Sequence, residues 1–230
     1  MRNLCIIPAR GGSKRIPGKN IKPFLGKPII AYSIEVALDS GLFDEVMVST
    51  DDNEIAEVAK RYGAKVPFMR SAESSGDLAT TAEVLIEVLK AYQQYGREFE
   101  YTCCIYPTAP LLNTRSLKKG WDEMQIGEFD SVFPVVEFSY PIWRSLKLEE
   151  DKKISMNWPE HQNTRSQDLP KAYHDAGQFY WFDTQKFLSS GVIFGSNSGS
   201  LILSEMEVQD IDNLTDWKLA ELKAGLLQKL

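Results

Sequence analysis

The sequence is poor in the residues that most often build metal sites, disulfides and acid–base pairs. Its 230 residues include two histidines and three cysteines. Cys5, Cys103 and Cys104 lie inside strand-like apolar runs, and an odd count without paired spacing favours buried thiols over disulfides or zinc ligands. No apolar stretch approaches the roughly 20 residues of a membrane helix. The apolar run at residues 4–7 is also too short for a signal-peptide core, so we predict a cytoplasmic protein with no membrane partner.

The chain also lacks a general excess of positive charge. Its formal net charge is -6, which disfavours nucleic acid or an anionic membrane as a partner. A hydrophobic content of 43% is typical of a globular protein and argues against disorder. Against this acidic background, residues 10–22 carry five basic residues and no acid. This segment therefore indicates a local site for an anion.

Short apolar runs alternate with helical patterns along the chain, which predicts an α/β fold. We expect a mostly parallel, Rossmann-like sheet with helices on both faces. The predicted strands cover residues 3–9, 46–50, 65–69, 101–106, 131–136, 177–182 and 200–203. Helical spacing predicts helices over residues 30–38, from Asp51-Asp52 to just before Gly63, and over 80–95, 115–126 and 214–227.

The alternation breaks between residues 137 and 176. This stretch contains Pro141, Trp143, Trp158, Pro159 and Pro170 and shows no clear period. It is too long for a plain connection within a compact domain, so it is either a functional excursion or a surface that packs on another chain. We predict one domain over 1–230 with residues 137–176 as an inserted arm.

A glycine-rich basic loop follows the first predicted strand, at the carboxyl edge where parallel sheets place ligands. Gly11 and Gly12 are expected to permit close backbone approach and unusual φ/ψ, and successive N–H groups there form a concavity for anions. Arg10, Lys14 and Lys19 add charge suited to phosphate. The pattern is neither GxGxxG nor GxxxxGK[ST], which disfavours a dinucleotide fold and a P-loop NTPase. A merely solvated basic loop remains the alternative.

A second acidic pattern, Asp210-Ile211-Asp212, lies between a predicted strand and the last helix. On an extended segment the two aspartates point to one face and can share a hard cation such as magnesium. The alternative is a helix cap near Asn213. Asp51-Asp52 is better interpreted as a helix cap and first-turn acid.

The basic loop contains Pro8-Ala9-Arg10-Gly11-Gly12-Ser13-Lys14, followed by Ile16-Pro17 and Lys19-Asn20. This sequence resembles the signature of the CMP-sialic acid synthetases. The resemblance covers nearly the whole chain. It continues at Ser49-Thr50-Asp51, Arg70, Pro107-Thr108-Ala109-Pro110-Leu111, residues 165–177 and Asp210-Ile211-Asp212. The sequences of residues 104–111 and 163–170 look most like those of the branch that activates pseudaminic acid.

The resemblance implies a nucleotidyltransferase fold and a CTP site with magnesium as cofactor. Positions near Asp77 would lie close to the nucleotide. The nucleotide-binding residues that it implies are Arg10, Gly11, Gly12, Ser13, Lys14, Lys19, Asn20, Arg70, Thr80, Thr81, Pro107 and Thr108. Asp210 and Asp212 would hold the metal, and Arg10, Lys19 and Asp212 would carry catalysis.

The sugar would be an acidic nine-carbon sugar, contacted in and beside the arm. The candidates are Tyr106, Arg144, Arg165, Gln167, His174 and Tyr180, although a structural histidine and core tyrosines are the ordinary alternatives. By resemblance, residues 165–170 cross to a second subunit, which implies a homodimer. Tyr106 replaces a glutamine, and Asp175 an asparagine, that sialic acid synthetases usually have, so the sugar's substituents are expected to differ.

The implied reaction is transfer of CMP from CTP to the anomeric hydroxyl of pseudaminic acid, with release of pyrophosphate, for surface glycan or flagellin precursors. The alternatives are the same reaction on N-acetylneuraminic, legionaminic or another 2-keto sugar acid. A glycosyltransferase that uses D-x-D for magnesium and a non-catalytic nucleotide-binding protein are alternatives of other classes. The sequence names no general base.

Overall fold

The computed structural model describes residues 2–76 and 78–227, so Asp77 lies outside the described residues. The strands are β1 Asn3–Pro8, β2 Pro23–Phe24, β3 Lys27–Pro28, β4 Glu45–Ser49, β5 Tyr101–Ile105, β6 Ser131–Glu137, β7 Leu146–Leu148, β8 Ile154–Met156, β9 Tyr173–Asp175, β10 Phe179–Asp183 and β11 Ser198–Leu203. The α-helices are α1 Ile29–Ser40, α2 Asn53–Arg61, α3 Thr81–Gln94, α4 Thr114–Ile126, α5 Thr184–Ser190 and α6 Leu214–Leu227.

A single seven-stranded sheet forms the centre of the molecule. Its order is β11-β6-β10-β5-β1-β4, and β9 pairs with β6 off this path. The pairs β1–β4, β1–β5 and β6–β11 are parallel, whereas β10 and β9 run antiparallel to their neighbours. The predicted mostly parallel α/β sheet is confirmed, and the antiparallel strands β9 and β10 return the chain from the arm.

Helices cover both faces of the sheet, as alternation along the strands requires. Cys5 and Ile7 of β1 face one core cluster with residues of α1, α2 and α4. Leu4 and Ile6 face the opposite cluster with residues of α3 and α5. The apolar stripes of these helices are thus buried against one or the other face of the sheet. None of the helices within residues 2–76 and 78–227 combines the length and apolar character needed to cross a membrane.

A third core cluster brings the end of the chain onto the basic loop. Trp217 and Ala220 of α6 pack with Ile16 of the loop and with Phe24, and Ile211 joins them fully buried. The ring of Phe24 meets that of Trp217 edge-on at 5.5 Å. Because Ile211 is anchored in this cluster, its two neighbouring aspartates are held beside the loop.

The inserted arm begins where β6 ends. It contains the exposed hairpin β7–β8 and several short 3-10 turns, and it returns through β9, whose Asp175 pairs with Val135 of β6. Within the arm, the indole Nε1 of Trp143 donates to the Pro170 carbonyl oxygen at 2.8 Å. The arm thus has internal contacts of its own and stays attached to the sheet at both ends.

Two predictions about local backbone are wrong. Residues 65–69 form one isolated bridge between Met47 and Lys65 rather than a strand, because the chain leaves the sheet after that single pairing and bends at Phe68. Gly11 and Gly12 were expected to take unusual φ/ψ, yet neither is among the described glycines with positive φ. The remaining predicted strands are confirmed to within two residues of their ends.

Candidate functional site

The basic loop is fixed in place by carboxylate and amide side chains at the edge of the sheet. The backbone N–H of Gly11 donates to Asp51 Oδ1 at 3.0 Å, and Asn20 Nδ2 donates to the Arg10 carbonyl oxygen at 2.9 Å. Asp52 caps α2, accepting from the next helix N–H groups at 2.7 and 3.1 Å. A Cβ on Gly11 would lie 2.6 Å from Asp52 Oδ2, so close approach, not positive φ, requires glycine there.

Beside the loop lies a cavity of about 380 Å³, the first cavity. Five cationic side chains line it, in a chain whose net charge is -6. Its lining residues are Pro8, Arg10, Ser13, Lys14, Arg15, Ile16, Lys19, Asn20, Arg70, Ser74, Gly76, Ala79, Thr81, Val84, Tyr106, Pro107 and Thr108. Such a concentration of cations in a concave site suits a polyanion such as a triphosphate.

The structure gathers most of the predicted nucleotide residues here, from four separate parts of the chain. Gly11, Gly12 and Thr80 are not among the described residues that line the cavity. Thr80 instead caps α3 in a capping box with Glu83, and the adjacent Thr81 lines the cavity. The helix cap therefore explains why one threonine of the pair is turned away.

Arg70 contributes a buried guanidinium to the first cavity. Its exposed fraction is 9%, and it donates from Nε to Ser49 Oγ at 3.1 Å and from Nη2 to the Ser49 carbonyl oxygen at 2.5 Å. Burial lowers the pKa of Arg70, while the charges of Asp51 and Glu87 oppose that shift. These contacts fix the guanidinium of Arg70 as a rigid donor.

Lys19 connects the loop to the acidic pattern near the end of the chain. Its Nζ donates to the Ile211 carbonyl oxygen at 2.8 Å. Burial lowers the pKa of Lys19, and the carboxylates of Asp212 and Asp210 counteract this. Asp212 is also paired with Arg15, with Nη2 and Oδ1 2.6 Å apart. The predicted catalytic residues Lys19 and Asp212 thus lie in one charged cluster.

Asp210 and Asp212 provide hard oxygen donors that suit a magnesium ion. Burial and the charge of Asp212 raise the pKa of Asp210, whereas Lys19 lowers it. Because the charge of Asp212 acts on Asp210, a divalent cation between the two carboxylates would relieve their repulsion. Among the residues that the structure describes, no group of three or more His, Cys, Asp or Glu side chains could hold a metal. The pair fits magnesium as a partial ligand set that phosphate oxygens and water would complete.

A second cavity of about 550 Å³ adjoins the first, and Tyr106 lines both. Asp210 lines the second cavity only, and Asp212 lines neither of the two. The lining residues are Tyr106, Val136, His174, Asp175, Ala176, Gly177, Glu205, Val208, Gln209, Asp210 and Lys223. Tyr106 and His174 were predicted sugar contacts, and the structure brings both to this cavity.

Tyr180, another predicted sugar contact, is buried with 1% of its surface exposed and lines neither cavity. Its hydroxyl donates to Asp175 Oδ2 at 2.5 Å, while Asp175 Oδ1 accepts from the Gly177 N–H at 3.0 Å. Burial raises the pKa of Tyr180, and the neighbouring Tyr106 and Asp175 add to the shift. The structure thus places Tyr180 as a support that orients Asp175 at the cavity wall.

The three predicted sugar contacts on the arm lie apart from both cavities. Arg144 Nη1 donates to Ser166 Oγ at 3.5 Å, and Arg165 Nε donates to Asp168 Oδ2 at 2.8 Å. Gln167 lines a separate pocket of about 150 Å³ beneath the arm. Within one chain, the structure does not bring these side chains to the other predicted sugar residues.

Among the charged residues that line the two cavities, Arg15, Asp175, Glu205 and Lys223 were not predicted as site residues. Arg15 belongs to the same basic run as Lys14, so the run itself was the signal. Lys223 lies on α6 without any motif around it. Only the packing of α6 against the loop reveals that its side chain reaches a cavity.

Together the fold and the first cavity define an α/β protein with a cation-lined cavity beside the loop at the carboxyl edge of its sheet. The model of the family described as "Cytidylyltransferase" matches residues 4–211, and the chain belongs to this family. It is a nucleotidyltransferase.

Two relatives and one solved structure show which nucleotidyltransferases this chain is similar to. The chain is 47% identical to a pseudaminic acid cytidylyltransferase of Campylobacter jejuni subsp. jejuni serotype O:2 over 222 residues, 96% of each chain. It is 33% identical to a CMP-N,N'-diacetyllegionaminic acid synthase of Legionella pneumophila subsp. pneumophila, covering 100% of this chain and 99% of that one. A solved CMP:2-keto-3-deoxy-manno-octonic acid synthetase in complex with CTP matches all of both chains with a TM-score of 0.69 at 18% identity, which supports the fold.

Proposed function

We propose that the protein transfers CMP from CTP to the anomeric hydroxyl of pseudaminic acid. The hydroxyl oxygen bonds to the α-phosphorus, the bond from that phosphorus to the β-phosphate oxygen breaks, and pyrophosphate leaves with release of the hydroxyl proton. The observation that carries the proposal is the pair of adjoining cavities, one lined by five cations and one by mixed polar groups, with Tyr106 in both. A triphosphate and a sugar acid can then meet at Tyr106.

The chain's own residues act mainly by position and charge. Arg10, Lys14 and Lys19 would hold the phosphates, and Lys19 would face the negative charge that grows on the leaving group. Arg70 would supply a fixed donor because Ser49 holds it.

Asp210 and Asp212 are the proposed magnesium residues. When bound, the ion would neutralise and orient the triphosphate. Support comes from the two adjacent carboxylates and from the raised pKa of Asp210, which burial and the charge of Asp212 cause. Replacing Asp212 with alanine is expected to nearly abolish turnover while the protein stays folded. Turnover like that of the wild type in this variant would refute the metal assignment.

We also propose a cytoplasmic homodimer. The buried free thiols of Cys5, Cys103 and Cys104 agree with a reducing compartment. The arm exposes apolar side chains at Tyr140, Leu146, Leu148 and Ile154 that a second copy would cover. In such a dimer Arg144, Arg165 and Gln167 would face the partner's second cavity, where an acidic sugar needs cations.

The proposed sugar follows from the 47% identical relative and is tested by a substrate panel. The purified protein, CTP and magnesium are combined with pseudaminic, N,N'-diacetyllegionaminic and N-acetylneuraminic acids, and pyrophosphate release is measured. We expect kcat/KM for pseudaminic acid to exceed that for the other two at least tenfold, a difference of about 1.4 kcal/mol in transition-state binding. Equal values, or a preference for another acid, would contradict the assigned sugar.

A further inference from the structure

Lys223 is the only lysine or arginine among the described residues that line the second cavity. It lies in the middle of α6 and is half-buried. Its Nζ donates to the carbonyl oxygens of Glu205 and Val208 at 2.9 and 2.7 Å. An ammonium has three donors, so these two bonds orient Lys223 and leave one N–H for a ligand in the cavity.

The position of Lys223 makes an uncharged acceptor its natural partner. In the proposed reaction the sugar's carboxylate is bonded to the same carbon as the attacking hydroxyl, so it stays at the junction near Tyr106 and Lys19. Lys223 is held instead by the carbonyl oxygens of Glu205 and Val208 and lines the second cavity alone, whereas Tyr106 lines both cavities and Lys19 only the first. It would therefore meet the part of the sugar remote from the anomeric carbon.

The groups around Lys223 match the three parts of an acylamino substituent. Asp175 is a fixed acceptor, because Tyr180 and the Gly177 N–H hold its two oxygens. Val136, Ala176 and Val208 are buried apolar residues that form one cluster and line the same cavity. An acceptor, a donor and an apolar surface together suit an N–H, a carbonyl oxygen and a methyl group.

We propose that Lys223 is a specificity-determining residue that donates a hydrogen bond to the carbonyl oxygen of an acylamino group on the sugar. The inference rests on the proposed function, because it needs the sugar acid in the second cavity. Burial lowers the pKa of Lys223, in agreement with a partly desolvated donor whose bonds are strong. Asp175 would accept from the N–H of the same group.

The test compares two substrates and four proteins. The substrates are an acylamino nonulosonic acid and an analogue in which hydroxyl groups replace the acylamino groups. The proteins are the wild type, Lys223→Met, Lys223→Arg and the control Lys218→Met, an exposed lysine of the same helix. Initial rates give kcat and KM for CTP and for each sugar, and thermal melting checks that each variant is folded.

We expect Lys223→Met to lower kcat/KM for the acylamino sugar about tenfold, as loss of a charged hydrogen bond does. Its values for the hydroxyl analogue and its KM for CTP should stay within about twofold of the wild type. Lys223→Arg should restore part of the preference, and Lys218→Met should change nothing. If Lys223→Met does not fold, Lys223→Gln, which keeps one N–H donor group, is measured in the same way.

An equal loss on both sugars, or a raised KM for CTP, would overturn the proposal and leave Lys223 as a support for the Glu205 segment. A wild type that releases no pyrophosphate with any sugar acid would refute the proposed function itself. Wild-type turnover with an unchanged preference in Lys223→Met would refute only the role of Lys223. The two failures are therefore distinguishable.

Discussion

The ammonium group of Lys19 donates a 2.8 Å hydrogen bond to the carbonyl oxygen of Ile211, 192 residues further along the chain. This contact joins the loop after the first strand to the acidic pattern before the last helix. Because Ile211 is fully buried, the bond fixes the charged groups on both sides of it. The proposed phosphate site and the proposed metal site are thus one structural unit.

Replacing Lys19 with methionine tests this unit. The variant keeps most of the side chain's volume but loses the charge and the bond to Ile211. We expect kcat/KM for CTP to fall about 100-fold or more, the usual cost of losing a preorganised charge-stabilising donor. Lys60→Met, on the exposed side of α2, is the matched control and should behave as the wild type. Similar values of kcat/KM for Lys19→Met and Lys60→Met would show that Lys19 does not contribute to catalysis.

Gly11 and Gly12 form a natural pair of test and control. Gly11→Ala places a Cβ 2.6 Å from Asp52 Oδ2, within the helix cap, whereas Gly12→Ala meets nothing within 4 Å. We expect the first to lower the free energy of unfolding by about 1 kcal/mol or more and the second to leave it unchanged. Urea denaturation measures both. Equal stabilities would contradict the role of close approach at Gly11.

The same pair can separate folding from ligand contact, because Gly12 is free of neighbouring atoms within the described chain. If the loop backbone approaches the triphosphate there, Gly12→Ala will raise KM for CTP without changing stability. An unchanged KM would show that only its neighbour needs to be glycine.

Glu45 stabilises the fold through a buried charge cluster remote from the cavities. Its side chain is fully buried, and it accepts from Tyr92 Oη, Lys65 Nζ and Arg97 Nη1 at 2.5, 2.9 and 2.6 Å. Breaking a fully buried pair costs about 3–5 kcal/mol. Since Lys65 is exposed and Arg97 is partly exposed, we expect Glu45→Gln to lose about 2 kcal/mol of unfolding free energy, with kcat unchanged for the folded protein.

The same contribution should depend on pH. Burial acts to raise the pKa of Glu45, but hydrogen bonds from Tyr92, Lys65 and Arg97 prevail and lower it below its ordinary value of 4.5. A depressed folded-state pKa gives stability that is present above the unfolded pKa and disappears as the pH falls through the folded value. The stability difference between wild type and Glu45→Gln should therefore be constant near pH 7 and shrink below about pH 4.5. A stability difference that grew as the pH fell would contradict the lowered pKa of Glu45.

Mixing two inactive variants tests the proposed dimer and the role of the arm together. Asp212→Ala removes a residue of one protomer's site, and Arg165→Ala removes an arm residue proposed to act in the partner's site. After subunit exchange we expect roughly a quarter of wild-type activity, because half of the dimers are mixed and one of their two sites is intact. The pair Asp212→Ala and Lys19→Met should give none. Recovery in neither mixture would show that Arg165 does not act in the partner's site and would contradict the proposed arrangement.

The sequence predicts the sheet well because local pattern and global position agree there. The apolar run of Asn3–Pro8 is buried on both faces, and Gly41 ends α1 in the left-handed conformation that its position suggests. Residues 65–69 look equally strand-like, yet only Lys65 pairs. That difference depends on where β4 ends and the chain must turn, which no local pattern carries.

The two cavities also differ in how well the sequence predicts their residues. Four of the five cations of the first cavity lie in one glycine-rich segment, so this candidate anion site could be named in advance. The second depends on how α6 and the end of the arm dock, and it places Asp175, Glu205 and Lys223 together from distant parts of the chain. Tyr180 shows the converse, since strand alternation turns it into the core. Residue type alone cannot distinguish a tyrosine that lines a site from one that supports it.

The central claim is that this chain makes a bond between the α-phosphorus of CTP and pseudaminic acid. Phosphorus NMR of the purified protein with CTP, magnesium and pseudaminic acid tests it most directly. The account predicts that CTP signals are replaced by one phosphodiester signal and one pyrophosphate signal in equal molar amounts, and only when the sugar is present. Loss of CTP without the phosphodiester, or no reaction with any nonulosonic acid, would contradict the account.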